Sequence, residues 1–420
     1  MTLTVRSATR RFLVLSALRW FPVGLIVPVI MLLPLERGLA LTDVGLAASL
    51  QGLVVLALEL PTGGLADSVG RRRVLIVAAA VGLVSTSLLL VAGSAPVFAL
   101  AFALQGAFRA LDSGPLEAWY VDAALAADPR AAIDKGLSGH GVVVGLAIGG
   151  GALASGGLVA LDPFPALDAL AVPVVASLLL QVAGLVGIVL LMAETPRATG
   201  LRNTWRAAAD TPRAIADGVG LLRRDKVLLA LVAVELFWGF GIVTFESLMP
   251  VRLAELVGDA DAAAAITGPA TAAAWLASAA GSAVLPWLGR RLGFAPTAAL
   301  LRIVQGATVV GIGLFGGVAA MLAAYLACYL VHGTSGTAHM TLLHRRVTGP
   351  QRATVVSLNS MVMQPAAAIG LVVLTALADG TSVGLAIGVG GAVLALAAPL
   401  YLPAWRQDRA AARLEGARSA

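Results

Sequence analysis

Apolar runs of about twenty residues recur along almost the whole chain, separated by short turns rich in charge, glycine or proline, and this pattern leaves few folds open. A run of about 20 apolar residues is long enough to cross the hydrocarbon core of a bilayer as a helix. No water is available there to satisfy backbone N–H and C=O groups, so a spanning chain must be helical or form a closed barrel. A barrel would show segments of about ten residues alternating in hydrophobicity, whereas these runs are continuous. Composition agrees: 59% of the 420 residues are hydrophobic and 12% are charged, against about 25% charged in soluble domains. The expected fold class is an all-α membrane protein.

Twelve spans are expected, near 12–34, 43–63, 74–93, 96–119, 138–160, 171–192, 227–249, 264–286, 294–316, 318–340, 353–377 and 382–403. An even number puts both termini on one side. Of the 29 lysines and arginines, Arg19, Arg109 and Arg302 fall within spans and Arg37 and Arg252 on the far side; all the others share the side of the termini. Basic residues flank the cytoplasmic ends of membrane helices, so that side is expected to be the cytoplasm. The +6 formal charge then reports topology and gives no reason to expect a nucleic-acid partner.

Arg6, Arg10 and Arg11 precede the first run, which continues to about Leu33. That is too long for a signal-peptide core, and no small-residue cleavage site follows promptly, so it reads as a retained helix. Cys328 is the only cysteine, which rules out an intramolecular disulfide, and no His/Cys/Asp spacing suggests a metal site. High Ala, Gly and Arg content with only two lysines, Lys135 and Lys226, fits a GC-rich bacterium, hence a bacterial cytoplasmic membrane.

The one long polar connection, 194–226, carries Arg197, Arg202, Arg206, Arg213, Arg223, Arg224 and Lys226; its stretch 203–222 could lie on the membrane as an amphipathic helix. It divides the chain into a six-helix bundle over 1–193 and a second over 227–420 with a short tail. The halves look like copies. Leu33-Pro34 stands at the end of the first helix as Met249-Pro250 does at the seventh, and Gly70-Arg71-Arg72 recurs as Gly289-Arg290-Arg291. Parallel repeats with a cargo site between them are one way secondary transporters are built.

Residues 63–73, Gly-Gly-Leu-Ala-Asp-Ser-Val-Gly-Arg-Arg-Arg, are read as a tight cytoplasmic turn between the second and third helices. Glycines permit the turn and arginines anchor the helix end. The segment resembles the signature loop of the major facilitator superfamily, G-x-L-a-D-r-x-G-r-[rk]. Gly63, Leu65, Ala66, Asp67, Gly70, Arg71 and Arg72 match, and Ser68 replaces the usual Arg. The resemblance implies twelve transmembrane helices in two pseudo-symmetric six-helix bundles, and a gating role for the loop, with Asp67 meeting the start of the eleventh helix. The fifth helix is similar to the antiporter motif of the same superfamily, g-x-x-x-G-P-x-x-G-G. Gly141, Gly145, Gly149 and Gly150 match, and Leu146 stands where the proline belongs. Close helix packing explains glycines four apart equally well. The fourth helix keeps the Gln105-Gly106 common in drug exporters but has Phe102 where they carry Arg; Arg109, two turns on, lies on nearly the same face.

Ionisable groups inside a bilayer are costly and mark pathways or relays. Arg19, Glu59, Arg109, Asp112, Glu117, Glu235, Glu246, Arg302, His332 and His339 fall within spans. Eight of these ten are on helices 1, 4, 7 and 10, which line the central cavity in the superfamily. Arg19 and Glu235 stand at equal distances before Pro34 and Pro250, so they are expected at comparable depth on equivalent helices. Asp112 and Glu235 are the expected proton-coupling carboxylates, with Arg19 and Arg109 as the cations that set them. A permanent Arg109–Asp112 ion pair is the structural alternative. Trp20, Phe21, Phe237, Trp238, Phe240 and His332 are candidates for the cargo cavity, where flat apolar rings suit hydrophobic cargo. Of the four histidines, only His332 is read as lying well inside.

These readings lead to a secondary active transporter, not an enzyme. It has no G-x-x-x-x-G-K-[ST] phosphate loop, so an ion gradient must drive it, and no cofactor is expected. Proton-coupled efflux of small hydrophobic or amphipathic compounds is the leading expectation, as in the bacterial drug/proton antiporters the chain resembles. A symporter importing a nutrient or organic anion, and a lipid transporter, are the alternatives. Small-molecule cargo, protons and the lipid bilayer are the expected partners, and the protein is expected to be a monomer.

Overall fold

A computed structural model of the chain describes residues 3–194, 216, 219–347 and 349–419. The expected linker residues Arg197, Arg202, Arg206 and Arg213, and most of the possible surface helix 203–222, lie outside them. Every regular element among the described residues is helical. In order these are α1 (Val5–Ile26), α2 (Leu32–Glu36), α3 (Leu41–Val69), α4 (Arg71–Val91), α5 (Ala95–Asp112), α6 (Pro115–Ala127), α7 (Ile133–Leu161) and α8 (Val172–Leu191). The second half continues with α9 (Lys226–Val243), α10 (Met249–Val257), α11 (Ala260–Leu292), α12 (Phe294–Leu314), α13 (Val318–Arg346), α14 (Gly349–Gly380), α15 (Val383–Ala395) and α16 (Leu402–Ser419).

Joined end to end where the chain does not reverse, these elements make the twelve expected rods. Among the described residues, ten stretches are long and apolar enough to cross a membrane. The two rods outside that set are α1, with Arg10, Arg11 and Arg19, and α5–α6, with Arg109 and Asp112. The charges that lower their hydropathy are the ones from which the candidate site is built.

Several helix ends differ from expectation. The second helix does not stop at Gly63: α3 runs on to Val69, so Gly63 and Asp67 are helical, and the turn reduces to Gly70 at φ 102°. One residue in that left-handed region, cheap only for glycine, reverses the chain without a longer loop. The side chain of Asp67 is not among the described features, so its meeting with the eleventh helix lies outside them. In the second half the turn falls at Gly293, φ 84°, with Gly289-Arg290-Arg291 still inside α11. Pro34 and Pro250 do not end their helices either. Pro34 sits inside α2, after a run of turns, and Pro250 is the second residue of α10, just past a π-helical turn at Thr244–Leu248. Proline has no N–H to close the ladder, and a π turn is one way a helix absorbs the interruption.

By contacts the chain forms two compact units, one comprising Met1–Thr211 with Leu253–Ala272, the other Pro212–Arg252 with Ala273–Ala420. Membrane helices gain little from excluding water, so they pack through small residues at close approach. In the first unit α1 meets α7 at Gly24 and Gly151: a Cβ on Gly151 would stand 2.3 Å from the Phe21 carbonyl oxygen, and one on Gly24 2.3 Å from that of Ile148. In the second, α12 meets α15 in the same way at Gly306–Gly391 and Gly313–Gly384. Each unit also has an aromatic-containing core near its termini end, around Phe12, Trp119 and Tyr120 in one and Leu228, Leu343 and Tyr401 in the other.

Candidate functional site

The expected fourth helix is broken. Ser113 is extended, Gly114 takes φ 92°, and Pro115 opens α6 at its first turn. Asp-Ser-Gly-Pro is a stop-and-restart signal, because glycine accepts the left-handed step and proline is favoured at a helix start. Asp112 is thereby left at the last position of α5. Its carboxylate forms a salt bridge with Arg19 of α1, the two side chains being 5% and 19% exposed. Arg109 is a nearby like charge to Arg19. A cavity of about 50 Å³, enough for a few waters, adjoins the pair and is lined in part by Phe108, Leu116 and Gln181. The Arg19 guanidinium also covers the Trp20 ring at 4.5 Å.

A second carboxylate enters the same region. Glu117, in the first turn of α6, reaches His140 of α7 at 3.2 Å, and the other ring nitrogen of His140 is 2.8 Å from Ser16 Oγ on α1. The imidazole stacks on Phe12 at 4.9 Å, and Phe12 stacks on Tyr120. Glu117 is thus held in a half-buried polar group. His140 was not expected inside; its helix turned out to be packed directly on α1. Beside this group, α1 and α7 leave an open groove of about 710 Å³, mostly apolar, with Arg6, Arg10 and Lys135 on its rim.

The second unit has its own buried network. Glu235 of α9 lies 3.1 Å from His339 Nε2 of α13, with side chains 6% and 3% exposed. His339 is more fully buried than His332. Its Nδ1 is 3.0 Å from Tyr401 Oη, and its Nε2 3.3 Å from Asn359 Oδ1. Arg302 of α12, 2% exposed, donates to Gln305 Oε1 at 3.0 Å and lies over the Trp238 ring at 4.7 Å. Trp238 stacks on His332 at 4.9 Å, with Phe245 and Tyr329 completing the aromatic group.

The six aromatic candidates thus separate. Trp238 and His332 share one cluster, and Trp20 carries the Arg19 guanidinium. Phe21 lies against Gly150 and Gly151. Phe237 packs into the apolar core of the second unit, and the Phe240 backbone is the surface Gly370 approaches. The four antiporter-motif glycines also separate. A Cβ on Gly141 or Gly145 would meet no neighbouring heavy atom within 4 Å, while one on Gly149 would meet Ala272 at 3.6 Å and one on Gly150 would meet Phe21 at 3.4 Å. The tight contacts fall instead on Gly24 with Gly151 and on Gly156 with Gly268, so close packing does not account for Gly141 and Gly145.

At the signature segment, the Arg71 and Arg72 N–H groups both donate at 2.9 Å to the carboxylate of Glu194, an anion at the start of α4. The Arg71 side chain binds Asp122 of α6 at 2.6 Å, and Arg72 reaches the Val189 carbonyl at 2.6 Å. Two further ion pairs tie helix ends. Asp225 caps α9 and binds Arg346 at 2.5 Å; burial alone would raise its pKa, but hydrogen bonds from Arg346, Leu228 and Val227 hold it below the usual value. At the other end of the first unit, Arg37 donates to the Leu89 and Ala92 carbonyls at 3.1 and 2.8 Å. There burial and the hydrogen-bonded Asp168, with Asp261 nearby, push Glu36 up to about 7 against the pull of Arg37.

Two helical units in one chain, buried charge within each, and ten apolar rods point to one kind of protein, and sequence comparison decides it: the profile of the Major Facilitator Superfamily matches residues 12–371. The chain belongs to the major facilitator superfamily. It is accordingly a multi-pass membrane transporter of small molecules, not an enzyme. Among solved structures, a mutant of the nucleoside transporter NupG superposes with a TM-score of 0.76 at 12% identity, over 94% of this chain and 99% of that one. A structure titled for substrate recognition in proton dependent oligopeptide transporters gives 0.69 at 12% identity, over 96% and 99% of the two chains. The peptide transporter POT, a mutant in complex with sulfate, gives 0.72 at 14% identity, over 96% and 94%. At these identities the likeness is one of fold. No curated protein matches the chain in sequence.

Proposed function

We propose that this superfamily member is a proton-coupled exporter of small hydrophobic or amphipathic compounds. It would sit as a monomer in a bacterial cytoplasmic membrane with both termini inside. Bundles 1–193 and 227–420, joined by 194–226, would alternate access to the cargo site. The observation that carries the reading is the Arg19–Asp112 pair beside a water-sized cavity at membrane depth. A carboxylate paired with Arg stays ionised; separated from the Arg in apolar surroundings it takes up a proton. Asp112 can therefore load and unload a proton as its distance from Arg19 changes, and the Glu117–His140 pair of α6 and α7 supplies the next proton acceptor.

Two features favour export of a lipophile. Gly141 and Gly145 have no packing partner to explain them, and the Trp238–His332–Phe245–Tyr329 group offers flat ring surface. The second reading is import by symport, favoured by neighbours in fold whose titles name nucleoside and proton dependent oligopeptide transport.

The test is lumenal pH in inverted vesicles energised by respiration, on adding lipophilic cations, neutral antibiotics, sugars and peptides. An exporter exchanging cargo for protons raises lumenal pH with a lipophile, and Asp112→Asn abolishes the response. If no lipophile responds and a sugar or peptide moves in the same direction as protons, the protein is a symporter.

A further inference from the structure

Three buried side chains of the second unit form one hydrogen-bonded chain whose polarity can be deduced. His339 Nε2 faces two oxygens, Glu235 Oε1 at 3.1 Å and Asn359 Oδ1 at 3.3 Å. A carboxylate only accepts, so Nε2 carries the ring proton and Nδ1 is the acceptor. The phenolic proton of Tyr401, whose Oη lies 3.0 Å from Nδ1, then points to the imidazole. Both donors therefore point the same way, from Tyr401 through His339 to Glu235, and the buried Arg302 acts on Tyr401 as a nearby positive charge.

We propose that Glu235 and His339 together form a proton-binding site of the second unit, with Tyr401 as the positioning residue that fixes the imidazole tautomer. The inference rests on the proton-coupled reading above. The empty site is an Arg302 cation and a Glu235 carboxylate. The loaded site holds one more proton, shared between the Glu235 carboxyl and the imidazole, so the cluster passes from neutral to singly positive. Arg302 is a fixed positive charge in the same unit, held by Gln305 and the Trp238 face. Of the other elements packed on the pair, α14 contributes the neutral Asn359. A purely structural role would be met by any hydrogen-bonding residue at 339. It would not require the ring to be oriented from its far side by a tyrosine.

Infrared difference spectroscopy of the full-length protein in liposomes, stepped across pH, reads buried carboxyl protonation directly, with protons as the only probe. The wild type should show two titrating buried carboxyls, one lost in Asp112→Asn and the other in Glu235→Gln. His339→Gln and Tyr401→Phe should each move the Glu235 titration by about one pH unit, a tenfold change in proton affinity, and leave that of Asp112 in place. Tyr401→Phe keeps the ring in the core and removes only the hydroxyl, so it guards against a folding artefact. The inference is overturned if Glu235 does not titrate, or if its titration is indifferent to both variants while Asp112 titrates. If neither carboxyl titrates, the proton-coupled reading falls with it.

Discussion

Arg19 of α1 is ion-paired with Asp112, the residue at which α5 ends. The break at Ser113–Gly114 thus places a carboxylate at a helix terminus inside the membrane, where small rearrangements of α6 change its surroundings. The Glu117–His140 pair begins one turn further on.

Asp112→Asn leaves Arg19 buried without its partner. Breaking a buried pair from one side costs about 3–5 kcal/mol, whereas replacing both partners is far milder. The single variant should therefore unfold at markedly lower temperature, and Asp112→Asn with Arg19→Gln should recover most of that loss. Proton-driven transport should fall about tenfold or more in both, since coupling free energies of this kind run to 1–3 kcal/mol. Recovery of transport along with stability in the double variant would make the pair purely structural.

Glycine substitutions separate packing from pathway on α7. A side chain at Gly151 runs into the Phe21 carbonyl oxygen, so Gly151→Val should destabilise by about 1–3 kcal/mol, the usual cost of overpacking. Gly141→Ala meets nothing and should leave the unfolding temperature unchanged. Loss of transport in a stably folded Gly141→Ala would place that face on the cargo path.

Glu36 gives the first unit a pH-dependent end. Its folded pKa of about 7 lies above the ordinary 4.5, so between those values the folded state holds the proton more tightly than the unfolded one. By linkage, stability falls as pH rises through that window and levels off above about 7. Glu36→Gln should flatten the dependence of unfolding temperature on pH between 5 and 7.5 (roughly the window where the two states differ in bound protons). An unchanged slope would show that another group is responsible.

Asp225 shows the opposite sign. Its carboxyl is held below the usual value, so its contribution is present above the ordinary carboxylate range and is lost as pH falls through it. Both partners are partly exposed, which limits the ion pair to about 0.5–1 kcal/mol. Asp225→Asn keeps the helix cap and should cost that much; Asp225→Ala should cost about 1 kcal/mol more by losing the cap as well. Chemical denaturation at neutral pH distinguishes the two.

Much of the fold was legible in the chain because a bilayer imposes a single rule, helices of about twenty apolar residues. The spans and the superfamily follow from that rule and from the Gly63–Arg72 signature. The helix interruptions are written locally too: Asp112-Ser-Gly-Pro and the proline at 250 are visible in the sequence, although the expected fourth span runs unbroken through the first and the expected seventh stops at the second. Asp112 and Glu235 stood out as carboxylates because such groups are rare in apolar runs.

Their partners were not legible. Periodicity says which face of a helix a residue occupies, but not which neighbouring helix that face meets. Glycine pairs such as Gly24–Gly151 set that choice by close backbone approach, and they bring α7, with His140, onto α1. In the second unit, α13 ran far enough to bury His339 against Tyr401, three spans from Glu235's neighbours in sequence. The sequence by itself therefore determined the membrane class, the number of rods and the charged residues that must matter, because solvation in lipid acts on each helix alone. The tertiary structure decided that Arg19 binds Asp112, that Glu117 binds His140 and that Glu235 binds His339, because pairing depends on distances between helices that no single helix encodes.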